Sequence, residues 1–190
     1  MRSLNRLGTQ AMSLPLAADD VVEFHAARLL LLIKICGVAG HIDGLTKMAK
    51  MDFFARYPDF FEVAKRAAKA DAREAEHEDR SGGRSVESAM IRHHYGPWDK
   101  RYYQVLSVLE AKGLVGITKD GRAFRIALTE LGDQRAKALS DKSSFNDLVE
   151  RMKEIKKVFG NKSGNTIKNL IYELFDAEVG QRPRGEVIEG

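Results

Sequence analysis

A single cysteine in 190 residues rules out any intrachain disulfide framework. That residue, Cys36, closes the apolar run 29–36 (LLLLIKIC) and reads as a buried, reduced thiol, which fits a cytoplasmic setting. The same run is too short to span a bilayer and contains Lys34, so no membrane attachment is expected. Residues 1–18 hold no apolar core of the signal-peptide kind. Also missing are a Walker phosphate loop, a Rossmann glycine fingerprint, a nucleophile elbow and any zinc-ligand spacing. The one histidine pair, His93-His94, is adjacent in sequence. Its rings point apart on a helix or strand, so a shared metal is not expected. These absences point to a protein without catalytic residues, cofactor or metal. There is no internal repeat either.

What is present is an ordered run of local signals from 92 to 139. Gly96-Pro97 suits a helix start, because Pro at the first helical position lacks an N–H that would have no partner there. Asp99 would then lie in the first turn, where the helix dipole favours negative charge. Trp98, Tyr102, Val105, Leu106 and Leu109 recur at helical spacing as one apolar stripe. Gly113 is a C-terminal stop. Short β-forming runs at 114–118 and 123–128 flank Lys119-Asp120-Gly121-Arg122, whose Asp-Gly pair is the strongest short hairpin signal. Thr129 caps a further helix starting near Glu130, with Ala136 and Leu139 on its apolar side.

Upstream, a helix capped near Asp19 or Asp20 should reach Cys36, apolar nearly all round in its second half and therefore central. A second runs from Asp43 to about Tyr57, ended by Pro58. The order helix, helix, helix, hairpin, helix is the outline of a winged helix-turn-helix. The expected fold is mainly α with a small β-hairpin. A winged-helix domain would cover 19–139, with an inserted helical segment at 58–90 that departs from the simple module. A flexible arm (1–18), a C-terminal helical appendage (140–177) and a flexible tail (178–190) complete the layout. Ser144 to Asp147 resembles a capping box for the first appended helix. The acidic residues of the insertion, Asp71, Glu74, Glu76, Glu78 and Asp79, alternate with lysines and arginines and read as a solvated face.

A net charge of +4 and a pI near 9.1 permit a phosphate-bearing partner without requiring one. The residues placed to meet DNA are Arg92, Lys100 and Arg101 at the helix start, Tyr103 and Gln104 on its outer face, and Lys119, Arg122 and Arg125 on the wing. Acidic neighbours Asp99, Glu110, Asp120, Glu130 and Asp133 leave only a modest basic excess, of the size that surface solubility alone explains. Trp98 and Tyr102 belong to the stripe and hence to the core. Tyr103 falls off it and is the better contact residue.

The pieces IDGLTKMAKMDFFARYP and YGPWDKRYY, within residues 29–139, resemble the small middle component of bacterial ABC-three-component, Lamassu-like anti-phage systems. The resemblance implies a winged-helix accessory subunit with no active site. It would assemble on an SMC-like ATPase with a long coiled coil and bridge the ATPase heads to an effector, commonly a nuclease, with DNA as a further contact. The alternative is a dimeric winged-helix transcriptional regulator that reads an operator by itself.

Overall fold

The computed structural model describes residues 21–70, 90–93, 96–121, 123–175 and 187–188. Among them the chain is mainly helical, with a small antiparallel sheet of three strands beside a second, smaller one. The first helix, α1 (Val22–Cys36), buries eight residues: His25, Arg28, Cys36 and the whole apolar run from Leu29 to Ile33. That is the central buried helix expected from its apolar second half. It ends at Gly37, where the backbone turns extended and a side chain would not fit, a Cβ there falling 2.8 Å from the His41 carbonyl oxygen.

A tight turn leads to β1 (His41–Asp43), a strand that the sequence does not announce, and then to α2 (Leu45–Arg56). Asp43 therefore ends a strand instead of starting the second helix. Tyr57 interrupts the helix, and α3 (Pro58–Ala70) starts directly on Pro58, where its fixed φ suits a first turn. The aromatic side chains of α2 and α3 interlock with the C-terminal helices: Phe54 stacks on Phe159 at 4.9 Å, and Phe60 meets Phe175 edge-on at 4.7 Å.

The strands β2 (Met90–His93) and β3 (Gly96–Trp98) pair antiparallel, Arg92 opposite Pro97. This corrects the expected helix start. Gly96-Pro97-Trp98 is extended, and α4 spans Tyr102–Ala111. The missing N–H of Pro97 costs nothing because β3 is an edge strand, in the order β3-β2-β6, where β6 is Val187–Ile188. Trp98 is buried as expected, 6% exposed, but from a strand, with Tyr102 packed edge-on at 5.3 Å.

Next come β4 (Val115–Asp120) and β5 (Ala123–Leu128), the expected hairpin, in register with Asp120 opposite Ala123. Gly121, at φ +58°, occupies the first central position of the turn, so the turn is centred one residue later than the Asp-Gly pair suggests. β1 adds to the outside of β5, giving the order β1-β5-β4.

Thr129 caps α5 (Glu130–Ser140) as expected, its side-chain oxygen accepting from the Gly132 N–H at 3.0 Å. The Ser144–Asp147 box does not form. A short 3₁₀ turn, Ser143–Phe145, feeds α6 (Asn146–Phe159) with no side-chain cap. The last helix, α7 (Gly164–Leu174), is capped by Ser163. Val149, Met152, Ile155 and Phe159 from α6, and Ile167 and Ile171 from α7, join the same hydrophobic core as α1 and α2. The segment read as an appendage therefore completes the core of the preceding unit. No helix among the described residues is long and apolar enough to cross a membrane.

Candidate nucleic-acid interface

The helix α4 presents two faces. Tyr102, Val105, Leu106 and Leu109 are buried, while Lys100, just before the helix, and Tyr103, Gln104 and Ser107 on it are exposed. Tyr103, 59% exposed, lies beside Trp98 with ring centroids 6.0 Å apart. The expected inner stripe and outer face are thus both present, although the helix begins later.

The basic residues meet different fates. Arg101 donates two bonds to Asp99, at 3.0 Å and 2.7 Å, and its backbone N–H adds a third at 2.9 Å. It is a clamp on the residue that leads into the helix. Arg125 is ion-paired with Asp43 of β1 at 2.8 Å, both side chains being about half exposed, so this pair adds little to stability. Hydrogen bonding from Arg125 holds the Asp43 carboxyl below the usual carboxylate range. Lys100 and Lys119 are exposed and stand outside any ion pair among the described residues. The side chain of Arg92 and all of Arg122 lie outside the described residues.

Strand register decides which wing residues face α4. Lys119 pairs with Phe124, and Thr118 with Arg125. Since alternate residues share a face, Lys119 and Phe124 lie on the side of the buried Ile126, whereas Arg125 lies on the opposite side. The structure therefore does not bring Lys119 and Arg125 to one surface. The candidate contact residues are Lys100, Tyr103, Gln104 and Ser107 of the α4 region and, on one side of the hairpin, Lys119 and Phe124. Glu110, at the far end of α4, accepts from the Ile117 N–H at 3.3 Å, so an acid sits among the basic and polar groups.

Duplex binding by this face should be weak and only mildly salt-dependent. Lys100→Gln and Lys119→Gln should each lower the salt slope by about one, and Arg125→Gln by clearly less. Fluorescence anisotropy with a labelled duplex at several salt concentrations would show it. A loss for Arg125→Gln equal to that for Lys119→Gln would contradict the assignment.

Sequence reasoning missed what holds α4 in place. Arg28, Lys50, Asp52 and Arg56 are fully buried, and His25 and Asp99 nearly so. Arg28 Nε donates to Asp52 at 2.9 Å, the Tyr102 hydroxyl donates to the other Asp52 oxygen at 2.7 Å, and Arg56 donates to Asp99 at 2.9 Å. The Lys50 ammonium donates to the Pro97 carbonyl at 2.8 Å. Helices α1 and α2 thus grip both the strand before α4 and its first residue. Burial works against the Asp99 charge, but Arg101 and Arg56 outweigh it and hold its carboxyl well below the usual carboxylate range. Burial, aided by Lys168, pushes the Lys50 ammonium down to about 7. The only sequence signals were charges set among apolar residues: Arg28 before four leucines, and Asp52 and Arg56 one turn apart around Phe53, Phe54 and Ala55.

His25 belongs to this layer. It is 1% exposed, its ring lies 5.7 Å from that of Tyr102, and neither ring nitrogen has a hydrogen-bond partner among the described residues. Burial pushes it down to about 4 from 6.5. The unfolded chain therefore binds a proton that the folded chain refuses, and stability falls as pH drops through that window. Between pH 7 and 4.5, urea midpoints of the unchanged chain should fall relative to those of His25→Phe, with a difference on the order of 2–3 kcal/mol near the bottom. Parallel curves would show that His25 takes no part.

Cys36 is as inert as its sequence context suggested. Its thiol donates to the Met152 carbonyl at 3.3 Å, and burial pushes it up to about 12. No group of three or more acidic, histidine or cysteine side chains able to hold a metal occurs among the described residues. No family model matches the chain, and the searches of curated proteins and of solved structures found no match.

Proposed function

We propose that this chain is a non-catalytic assembly subunit with a winged helix-turn-helix core, which binds protein partners first and DNA second. The observation that carries the fold reading is connectivity. A helix, a strand and a second helix precede α4 and a hairpin, and the early strand joins the outside of the hairpin's second strand in the order β1-β5-β4. A winged helix has that arrangement, with α4 in the recognition position and β4–β5 as the wing. α3, β2 and β3 are inserted before α4.

Charge supports the order of partners. Two of the arginines expected at phosphates are engaged by Asp99 and Asp43, leaving Lys100 and Lys119 as exposed cations among candidate residues that include the exposed Tyr103, Gln104 and Phe124. An aromatic and polar face with few cations suits a protein surface better than a phosphate backbone. The resemblance of residues 29–139 to the middle component of Lamassu-like systems supports an SMC-like ATPase as that protein partner, with a nuclease as the effector. The protein would bridge the two in the cytoplasm. A free-standing dimeric repressor is the weaker reading, because operator binding at physiological salt draws much of its affinity from phosphate contacts.

Co-expression with an SMC-like ATPase encoded beside this chain should give one complex that stays together through size exclusion at about 0.3 M salt, where contacts resting on exposed charge are well screened. Separate elution, coupled with a defined footprint made by this protein alone, would favour the repressor.

A further inference from the structure

We propose that the junction of α6 and α7 is a second surface for nucleic acid, which holds the phosphates of a duplex through Lys47, Lys156, Lys162 and Lys168 without regard to sequence. The inference rests neither on the ATPase reading nor on the outer face of α4.

The four cations gather around one short turn. Residues 160–164 (GNKSG) join α6 to α7, and Lys162 is exposed at the middle. Lys47 of α2 lies along this turn. Its ammonium donates to the Gly160 carbonyl at 2.7 Å, and a Cβ on Gly164 would fall 2.7 Å from its backbone nitrogen. Lys156 is exposed and flanks Gly160 as well, its Cγ 3.3 Å from where a Cβ would stand. The Lys156 ammonium donates to the Gly37 carbonyl at 3.0 Å. Lys168 follows Gly164 by one turn of α7 and so shares its face. The positive end of the α7 dipole adds to the same field.

No carboxylate pairs with any of the four among the described residues. From Ile155 to Tyr172 the chain has four lysines and neither aspartate nor glutamate. Asp43, the acid that acts on Lys47, is paired with Arg125, and Glu154 is paired with Lys157 and Lys65. Lys47 and Lys156 each use one donor on a carbonyl, and an ammonium has three. The other exposed side chains then separate nucleic acid from protein as the partner. Every exposed side chain from 155 to 169 is Lys, Asn, Ser or Thr. Protein interfaces are instead enriched in aromatics and depleted of lysine. With no exposed ring, no base can stack, so the backbone phosphates are bound, and a duplex presents these most densely.

The test compares the Lys156→Gln, Lys162→Gln, Lys168→Gln triple variant with the unchanged chain by anisotropy on a short labelled duplex of mixed sequence. The slope of log affinity against log salt should become shallower by about three, with a loss of about tenfold or more in affinity at about 0.1 M salt. Arginine at the same three positions keeps the charge and should bind as the unchanged chain does. A Lys112→Gln, Lys137→Gln, Lys142→Gln variant removes equal charge from exposed lysines elsewhere, and should lower the slope by less than about one. Lys162→Gln alone removes an ammonium that makes no bond among the described residues, so the fold is safe, and should lower the slope by about one. Equal losses in the two glutamine triples, or no loss for Lys162→Gln, would overturn the proposal. Poly-glutamate should compete about tenfold or more weakly than the duplex at equal charge, its charges being more widely spaced. Equal competition would overturn the choice of nucleic acid as the partner.

Discussion

Asp52→Ala should cost about 3–5 kcal/mol, read as a drop in the urea midpoint with an unchanged slope. The reason is what the substitution leaves behind. Arg28 and Arg56 are both fully buried, and Asp52 accepts from Arg28 at 2.9 Å and stands 3.9 Å from Arg56. Removing the carboxylate takes a charged partner from two buried cations, costlier than the ion pair's net worth. Tyr102→Phe removes only the hydroxyl that donates to Asp52 at 2.7 Å, and should cost about 1.5–3 kcal/mol, the range for a hydrogen bond to a charged group. Because the two changes share one acceptor, the double variant should lose less than the sum. Additive losses would mean that the network is not coupled. The effect should also reach function, since Tyr102 is the first residue of α4 and orients its outer face.

Gly132→Ala should be the second large effect, and its sign separates local from tertiary reasoning. Gly132 is helical, inside α5, where alanine is normally favoured by up to about 1 kcal/mol. The fold forbids it. A Cβ at this position would fall on the Leu114 carbonyl oxygen, with the carbonyl carbon 2.8 Å away, and both are backbone atoms that cannot swing aside. That same carbonyl accepts from the Thr129 N–H at 3.1 Å, so the hairpin base and the start of α5 would have to part. A loss of about 3 kcal/mol is expected, the upper end of overpacking costs, and calorimetry would register it as a clear fall in Tm. A rise in Tm would mean that α5 does not pack on the hairpin as described.

What could be read from the sequence were features that announce themselves locally. The apolar stripe of α4 held because Tyr102, Val105, Leu106 and Leu109 repeat at helical spacing whatever surrounds them. The Thr129 cap and the hairpin near Asp120-Gly121 likewise need only near neighbours. Gly96-Pro97-Trp98 was misread because a proline at a helix start and a proline in an edge strand satisfy the same missing N–H, and only strand pairing distinguishes them. β1 was invisible at three residues, since its partner lies more than eighty positions away. The candidate face was half legible. Tyr103 and Gln104 are exposed as expected, but the pairing of Arg101 with Asp99 and of Arg125 with Asp43 depends on how the chain folds back on itself. The buried charge layer left only a faint trace, charges set among apolar residues in α1 and α2, because each member looks like a surface residue until α1, α2 and α4 meet.

The central claim is that the outer face of α4 meets a protein partner and is held in place for that task. Its most direct test is the affinity of the proposed SMC-like ATPase partner for the Tyr103→Ala, Gln104→Ala double variant, measured beside the unchanged chain. Both side chains are exposed, so the fold should survive the change. The account predicts a loss of about tenfold or more in affinity with little change in Tm. Unchanged affinity for the ATPase would contradict it.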